Sequence, residues 1–144
     1  MIPLLIRTVA LGLVAGLGVG AAIAASNADR DRILTGYAAQ ARAENPSFAG
    51  FSADRGRALY LGPHTGGKLE TNACAACHTA DPKREGRHAT TGRAIKPMTV
   101  AVNPARFTDA ADVEKRFSRD CPNVLGRACT AQEKGDFITF LAGP

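Results

Sequence analysis

Cys74-Ala75-Ala76-Cys77-His78 places two thiols and an imidazole within five consecutive residues. That pattern suits one chemistry in particular. The two sulfurs add across the two vinyl groups of a haem, and the two-residue gap matches the spacing of those vinyls. The adjoining histidine is then held beneath the iron, where a neutral imidazole is a good axial ligand. The C-x-x-C-H run reads as a c-type haem attachment site, with Cys74 and Cys77 as anchors and His78 as proximal iron ligand. Other readings fare worse. A thioredoxin-like dithiol wants a βαβ context, which the flanking sequence lacks. A four-cysteine zinc site needs a second close pair, but Cys121 and Cys129 are eight residues apart. A disulfide between Cys74 and Cys77 would leave His78 without a purpose.

The elements that must hold this motif read as helices and loops. Ile33, Leu34, Tyr37, Ala38 and Ala41 recur with a helical period over residues 29–43, and Pro46 ends that helix. Ser52 is a good N-cap for a second helix through Gly56, Leu59 and Tyr60. Gly62-Pro63 and Gly66-Gly67 break the chain before the motif. From Cys74 to Arg106 little periodicity is visible, and so long an irregular stretch is usually functional. Thr108 or Asp109 caps a short helix bearing Val113 and Phe117. Thr130-Ala131-Gln132-Glu133 is a capping box that opens a last helix with Phe137, Ile138, Phe140 and Leu141. Nothing alternates over enough residues to suggest a sheet. Gly56 and Gly135 would allow close backbone approach where an early and a late helix cross.

Composition agrees with a buried cofactor. The chain has six Phe, two Tyr and no Trp, a thin apolar inventory for a domain this size. A porphyrin would supply much of the missing core. Residues 1–24 read as a signal peptide, with a short n-region to Arg7, an apolar run over residues 8–23, and Ala22-Ile23-Ala24 as a small-x-small site. The run is shorter than the ~20 residues that span a bilayer, and a retained anchor is the alternative. Residues 25–144 then form one monohaem domain with a net charge of +4, after loss of Arg7 from a chain of +5. This mild positive charge lacks the basic stripe with interleaved aromatics that marks a nucleic-acid binder. It is compatible with an acidic redox partner. Export to the periplasm suits a disulfide between Cys121 and Cys129, the simplest reading of a second pair when the first holds haem. Closing so short a loop stabilises by about 2–3 kcal/mol in the chain-entropy account.

The sixth iron position is open to several residues. Met98 follows Pro97 and is the usual type of ligand in an electron-transfer cytochrome. It lies only 20 residues beyond His78, however, which is close for a chain that must pass around the haem edge. His64 and His88 offer imidazoles.

A wider pattern bears on this choice. Thr91-Gly92 through Pro97, Asn103-Pro104, Arg106-Phe107-Thr108-Asp109, Val113-Glu114-Lys115, Cys121, Gly126-Arg127, Cys129-Thr130 and Glu133-Lys134 closely resemble the sphaeroides haem protein family of class I cytochromes c. The similarity extends upstream through Gly36-Tyr37, Arg55-Gly56-Arg57-Ala58-Leu59 and Thr65-Gly66-Gly67-Lys68. The resemblance implies an all-α class I cytochrome c fold, with helices and long loops around one covalently bound haem c, and a disulfide. It also implies a distal asparagine, directly before the first disulfide cysteine, that leaves on reduction so that ferrous iron can bind O2 or NO. This chain departs there: the residue before Cys121 is Asp120. As a ligand its carboxylate would be a hard anionic donor favouring ferric iron. Its alternatives are a surface pair with Arg119, or replacement at the iron by Asn123. Under the resemblance Met98 becomes a packing residue beside the haem.

The expectation is an exported single-electron carrier with a weakly held distal ligand, Asp120 being the leading candidate and Met98 the alternative. Its partners would be another cytochrome or a membrane-bound electron donor, with O2 or NO as small ligands and no nucleic acid. The rival classes are a permanently Met98-ligated carrier and a dedicated gas-binding or gas-converting haem protein. No acid/base constellation points to a committed enzyme.

Overall fold

The computed structural model describes residues 18–143, with side chains from Asn27 onward. Residues 1–17 of the expected signal segment lie outside the described residues. No helix among the described residues is long and apolar enough to cross a membrane.

Helix α1 (Gly18–Glu44) stops where Pro46 requires it, after Asn45 donates a last bond to the Ala41 carbonyl at 2.9 Å. Its apolar stripe buries Tyr37 and Ala41, with Ile33 and Leu34 packed at the margin. Helix α2 (Ala53–Leu61) begins at Ser52, whose hydroxyl accepts from the Arg55 N–H. Helix α5 (Ala131–Ala142) opens with the complete Thr130/Glu133 capping box.

The crossing of α2 and α5 organises the core. A Cβ at Gly56 would strike the Asp136 carbonyl and lie 2.9 Å from the Phe140 Cβ, so only glycine allows the two backbones to meet there. Gly135 plays a different part from the one expected: the Phe51 ring, rather than a backbone, fills the place of its missing side chain. Buried Asp136 accepts from the Ser52 N–H at 2.7 Å and from Arg55 Nε at 2.7 Å, which fastens the start of α2 to α5. Around this crossing Tyr60, Ile138 and Leu141 are fully buried, and Phe137 meets Phe117 edge-on at 5.5 Å.

Two elements differ from the sequence expectation. Helix α4 (Ala110–Leu125), capped by the Asp109 carboxylate, is long and carries Asp120, Cys121 and Asn123 within it rather than on a loop. Pro122 disfavours a helix interior because it lacks an N–H. It costs one bond in the last turn, which Gly126 then closes in the left-handed region (φ +72°) by donating to the Pro122 carbonyl. The irregular stretch after the motif also contains a small antiparallel ribbon, β1 (Gly86–Arg87) paired with β2 (Ala94–Ile95). Two residues per strand are too few to show alternation, so sequence periodicity had no means of revealing it.

Candidate functional site

The attachment motif forms a single helical turn, α3 (Ala75–His78), with Cys74 at its start. The N–H groups of Cys77 and His78 both donate to the Cys74 carbonyl, at 3.3 and 3.1 Å. Positions three and four apart lie on one helix face, so this turn directs Cys74, Cys77 and His78 to the same side. Both thiols are free and partly buried.

The turn is held from behind. The hydroxyl of Tyr60, itself fully buried at the end of α2, lies 3.0 Å from the His78 carbonyl and 2.7 Å from that of Thr79, and donates to this pair. Thr79 adopts a positive φ of 64°, a costly conformation for a β-branched residue that the Tyr60 bond and a Thr79–Asp81 contact at 2.7 Å help to hold. On another side, a Cβ at Gly86 would strike the Cys77 carbonyl and sit 2.8 Å from the His78 Cα, so the ribbon rests directly against the motif backbone. Neither Tyr60 nor Gly86 was legible as a site residue. Both act on backbone, and only their spatial neighbours reveal it.

The segment beyond the ribbon folds back on the chain after His78. Met98 and Thr99 both donate their N–H groups to the Pro82 carbonyl, at 2.8 and 3.2 Å. The Met98 side chain is 7% exposed and belongs to the core cluster. Arg106 straps this segment by donating to the carbonyls of Lys96 (2.7 Å) and Pro97 (3.1 Å), and buried Arg30 secures the Arg106 and Pro104 carbonyls in turn. His64 and His88 are engaged elsewhere: His64 Nε2 lies 2.9 Å from the Leu59 carbonyl, and His88 Nδ1 accepts from the Thr90 and Thr91 N–H groups.

Asp120 sits near the end of α4, half-exposed, with its two oxygens accepting from Arg119 Nε and Nη2 at 2.6 and 2.9 Å. Cys121, next in the chain, is joined to Cys129 with their Cα atoms 5.6 Å apart. Asn123 directs its amide N–H to the Arg119 carbonyl at 3.0 Å.

Electrostatics link these pieces. Burial, then the Arg106 guanidinium, depress the His78 imidazole to about 4, with Arg116 and Arg119 adding and Asp120 opposing. The ring is therefore neutral at neutral pH, the form that ligates a metal. Burial pushes the Cys74 thiol up to about 12, and the Asp120 charge adds to this. Asp120 is thus near enough for its charge to be felt at both motif residues, although it lies 46 and 42 positions away in sequence.

A covalently held haem fits this donor set. Two free thiols and a neutral imidazole share one face, and no hydrogen bond ties the His78 ring to another described residue. Two buried hydroxyls, Thr71 Oγ1 and Thr99 Oγ1, have no hydrogen-bond partner among the described residues. Buried hydroxyls are rarely left unmatched. One is three residues before Cys74, and the other belongs to the residue whose N–H bonds the Pro82 carbonyl, so a bound polar group would find unused donors there.

The comparisons agree with this chemistry. Residues 46–141 match a family described as a domain of unknown function, DUF1924. The chain is 45% identical over 111 residues to the cytochrome c-type protein SHP of Cereibacter sphaeroides, covering 77% of this chain and 81% of that protein. The structure of oxidised SHP, an oxygen-binding cytochrome c, superposes with a TM-score of 0.71 at 43% identity, covering 78% of this chain and 95% of that one. The solution structure of cytochrome c'' from Methylophilus methylotrophus, studied for haem-ligand detachment, gives a TM-score of 0.68 at 31% identity, with 79% and 92% covered. The chain belongs to the sphaeroides haem protein family, and it is a monohaem c-type cytochrome with an all-α class I fold and one covalently attached haem c.

Proposed function

We propose that this cytochrome is an exported, periplasmic carrier of single electrons whose distal iron face is held weakly, so that the reduced protein takes up a small gas such as O2 or NO. Bound haem supplies the reversible one-electron couple and an iron with one position left to the protein or to a ligand. The chain's own residues supply the rest. Cys74 and Cys77 anchor, His78 ligates on the proximal side, and Tyr60 with Gly86 keep that turn in place.

The observation that carries the reading is the position of Asp120. It is the residue directly before the disulfide, on a helix rather than a floppy loop, and its charge reaches Cys74 and His78. Its pair with Arg119 is half-exposed on both sides, and such pairs contribute little. The carboxylate is therefore free to exchange Arg119 for another partner at small cost. An anionic oxygen donor favours ferric iron and weakens on reduction. The oxygen-binding relative and the ligand-detaching cytochrome c'' support a displaceable distal ligand here. The Cys121–Cys129 disulfide and the leader-like N-terminus support export. The burial of Met98 in the core, with its backbone fastened to Pro82, supports a packing role over ligation.

Absorption spectra of the haem-loaded protein, oxidised, reduced, and reduced under carbon monoxide, test this. A high-spin reduced spectrum with a Soret shift under carbon monoxide is expected, and Asp120→Asn should alter the oxidised spectrum while Met98→Leu should not. A low-spin reduced spectrum indifferent to carbon monoxide, and lost in Met98→Leu, would establish the permanently ligated carrier instead.

A further inference from the structure

The positive charge of this chain is concentrated rather than spread. Residues 81–96, the β1–β2 ribbon and its approach, hold five cations (Lys83, Arg84, Arg87, Arg93, Lys96) against two carboxylates, in a chain of 18 cations and 13 carboxylates. All five are exposed. None forms a salt bridge among the described residues, and only Arg87 spends its guanidinium on a hydrogen bond, to the Gly92 carbonyl at 3.0 Å. Elsewhere cations are commonly neutralised: Arg55 by Asp136, Arg116 by Asp112, Arg127 by Glu133 and Lys134 by Glu114. A local excess of unpaired like charge creates a positive potential that attracts an oppositely charged surface.

The ribbon is also the element that rests on the haem-bearing turn, with Gly86 against the Cys77 carbonyl and the His78 backbone. Whatever docks on the ribbon is brought next to the attachment motif. No Phe, Tyr or Trp lies within residues 81–96 to stack on bases, and no large exposed apolar side chain is there to enter a bilayer. From these observations we infer that the basic β1–β2 ribbon is the docking face for a redox protein presenting an acidic surface, and that it steers that partner to the haem edge. The inference rests on the electron-carrier part of the proposed function and is independent of which residue occupies the distal iron position.

The test uses the purified, reduced holo-protein in stopped flow with two small oxidants of opposite charge, ferricyanide and tris(phenanthroline)cobalt(III). Each takes one electron from the ferrous haem, giving ferrocyanide or the cobalt(II) complex. Ferricyanide oxidation should slow as salt is raised, and oxidation by the cobalt complex should not. Arg84→Glu/Arg93→Glu, two side chains without hydrogen bonds of their own, should slow ferricyanide about tenfold at low salt. Arg42→Glu/Arg57→Glu, with the same change in net charge away from the ribbon, should leave the rate near wild type. Poly-L-glutamate should protect the wild type from ferricyanide and fail to protect the ribbon variant. Equal slowing in both double variants would mean that only net charge matters and would overturn the docking face. So would binding to phosphatidylglycerol vesicles that poly-L-glutamate does not compete away, which would assign the ribbon to a membrane. Failure of both oxidants to take an electron would sink the carrier reading and the docking face with it. Normal oxidation indifferent to the ribbon substitutions overturns the docking face alone. Circular dichroism of each variant confirms that the fold is intact.

Discussion

Replacing Gly56 by alanine sets two effects of opposite sign against each other. Alanine is the better helix former, and in an exposed helix interior it stabilises by about 1 kcal/mol over glycine. At Gly56 the new methyl would meet the Asp136 carbonyl and the Phe140 Cβ, both on α5. The first of these is backbone, which no rotamer change can move aside. To admit the methyl, α2 and α5 must separate, loosening the contacts of Tyr60 and Ile138 beside the crossing. Overpacking of this kind costs about 1–3 kcal/mol, and it also disturbs the Asp136 bonds that hold the start of α2. The clash therefore wins. Gly36 in α1 is the matched control, since nothing lies within 4 Å of a Cβ built there. In thermal unfolding of the holo-protein, Gly56→Ala should lower Tm by up to roughly 8 °C, the clash less the ~1 kcal/mol helix gain, at about 4 °C per kcal/mol for a domain of this size. Gly36→Ala should raise it by a few degrees. A rise in Tm for Gly56→Ala would refute the close crossing, because helix propensity would then be the only term acting.

Two further predictions concern the supports of the site. Tyr60→Phe removes the hydroxyl that binds the carbonyls after the motif and leaves the ring in place, so it should cost about 1–2 kcal/mol in chemical denaturation; an unchanged midpoint would mean that the Thr79 turn holds itself. The Arg127 hydrogen bonds, with burial opposing, hold the Glu133 carboxyl below its ordinary 4.5. A carboxyl depressed in the folded state contributes stability that is present above the unfolded value and lost as pH falls through the folded one. Glu133→Gln should therefore lower Tm at neutral pH, and the gap from wild type should narrow as pH drops below about 4.5; a gap constant with pH would mean that the charge plays no part.

Much of this protein was legible in its residues because the informative signals are local. The C-x-x-C-H run contains its own geometry: one helical turn puts both thiols and the imidazole on one face. The Ser52 and Thr130 caps, and the stop at Pro46, work through backbone groups within a few residues, so helix limits near them could be read directly. The reading failed where the deciding partner is distant. Helix α4 was expected to be a short helix bearing Val113 and Phe117, yet Val113, Phe117, Cys121 and Val124 keep one face of it buried and carry it through Pro122 to Leu125. The ribbon escaped notice because its strands are too short for a pattern. Gly135 was assigned to backbone contact, and the Phe51 ring occupies that space instead.

By itself the sequence identified the cofactor, one covalently attached haem c, since the C-x-x-C-H signal needs only neighbours along the chain. Tertiary structure alone decided that Tyr60 and Gly86 brace the attachment turn and that α4 brings the Asp120 charge within reach of Cys74 and His78. It also decided that the ribbon, flanked by exposed cations, rests through Gly86 on the backbone of Cys77 and His78. These are consequences of packing, in which residues far apart in the chain meet because helices and a ribbon bury their apolar faces on one another, and no local pattern records which ones will meet.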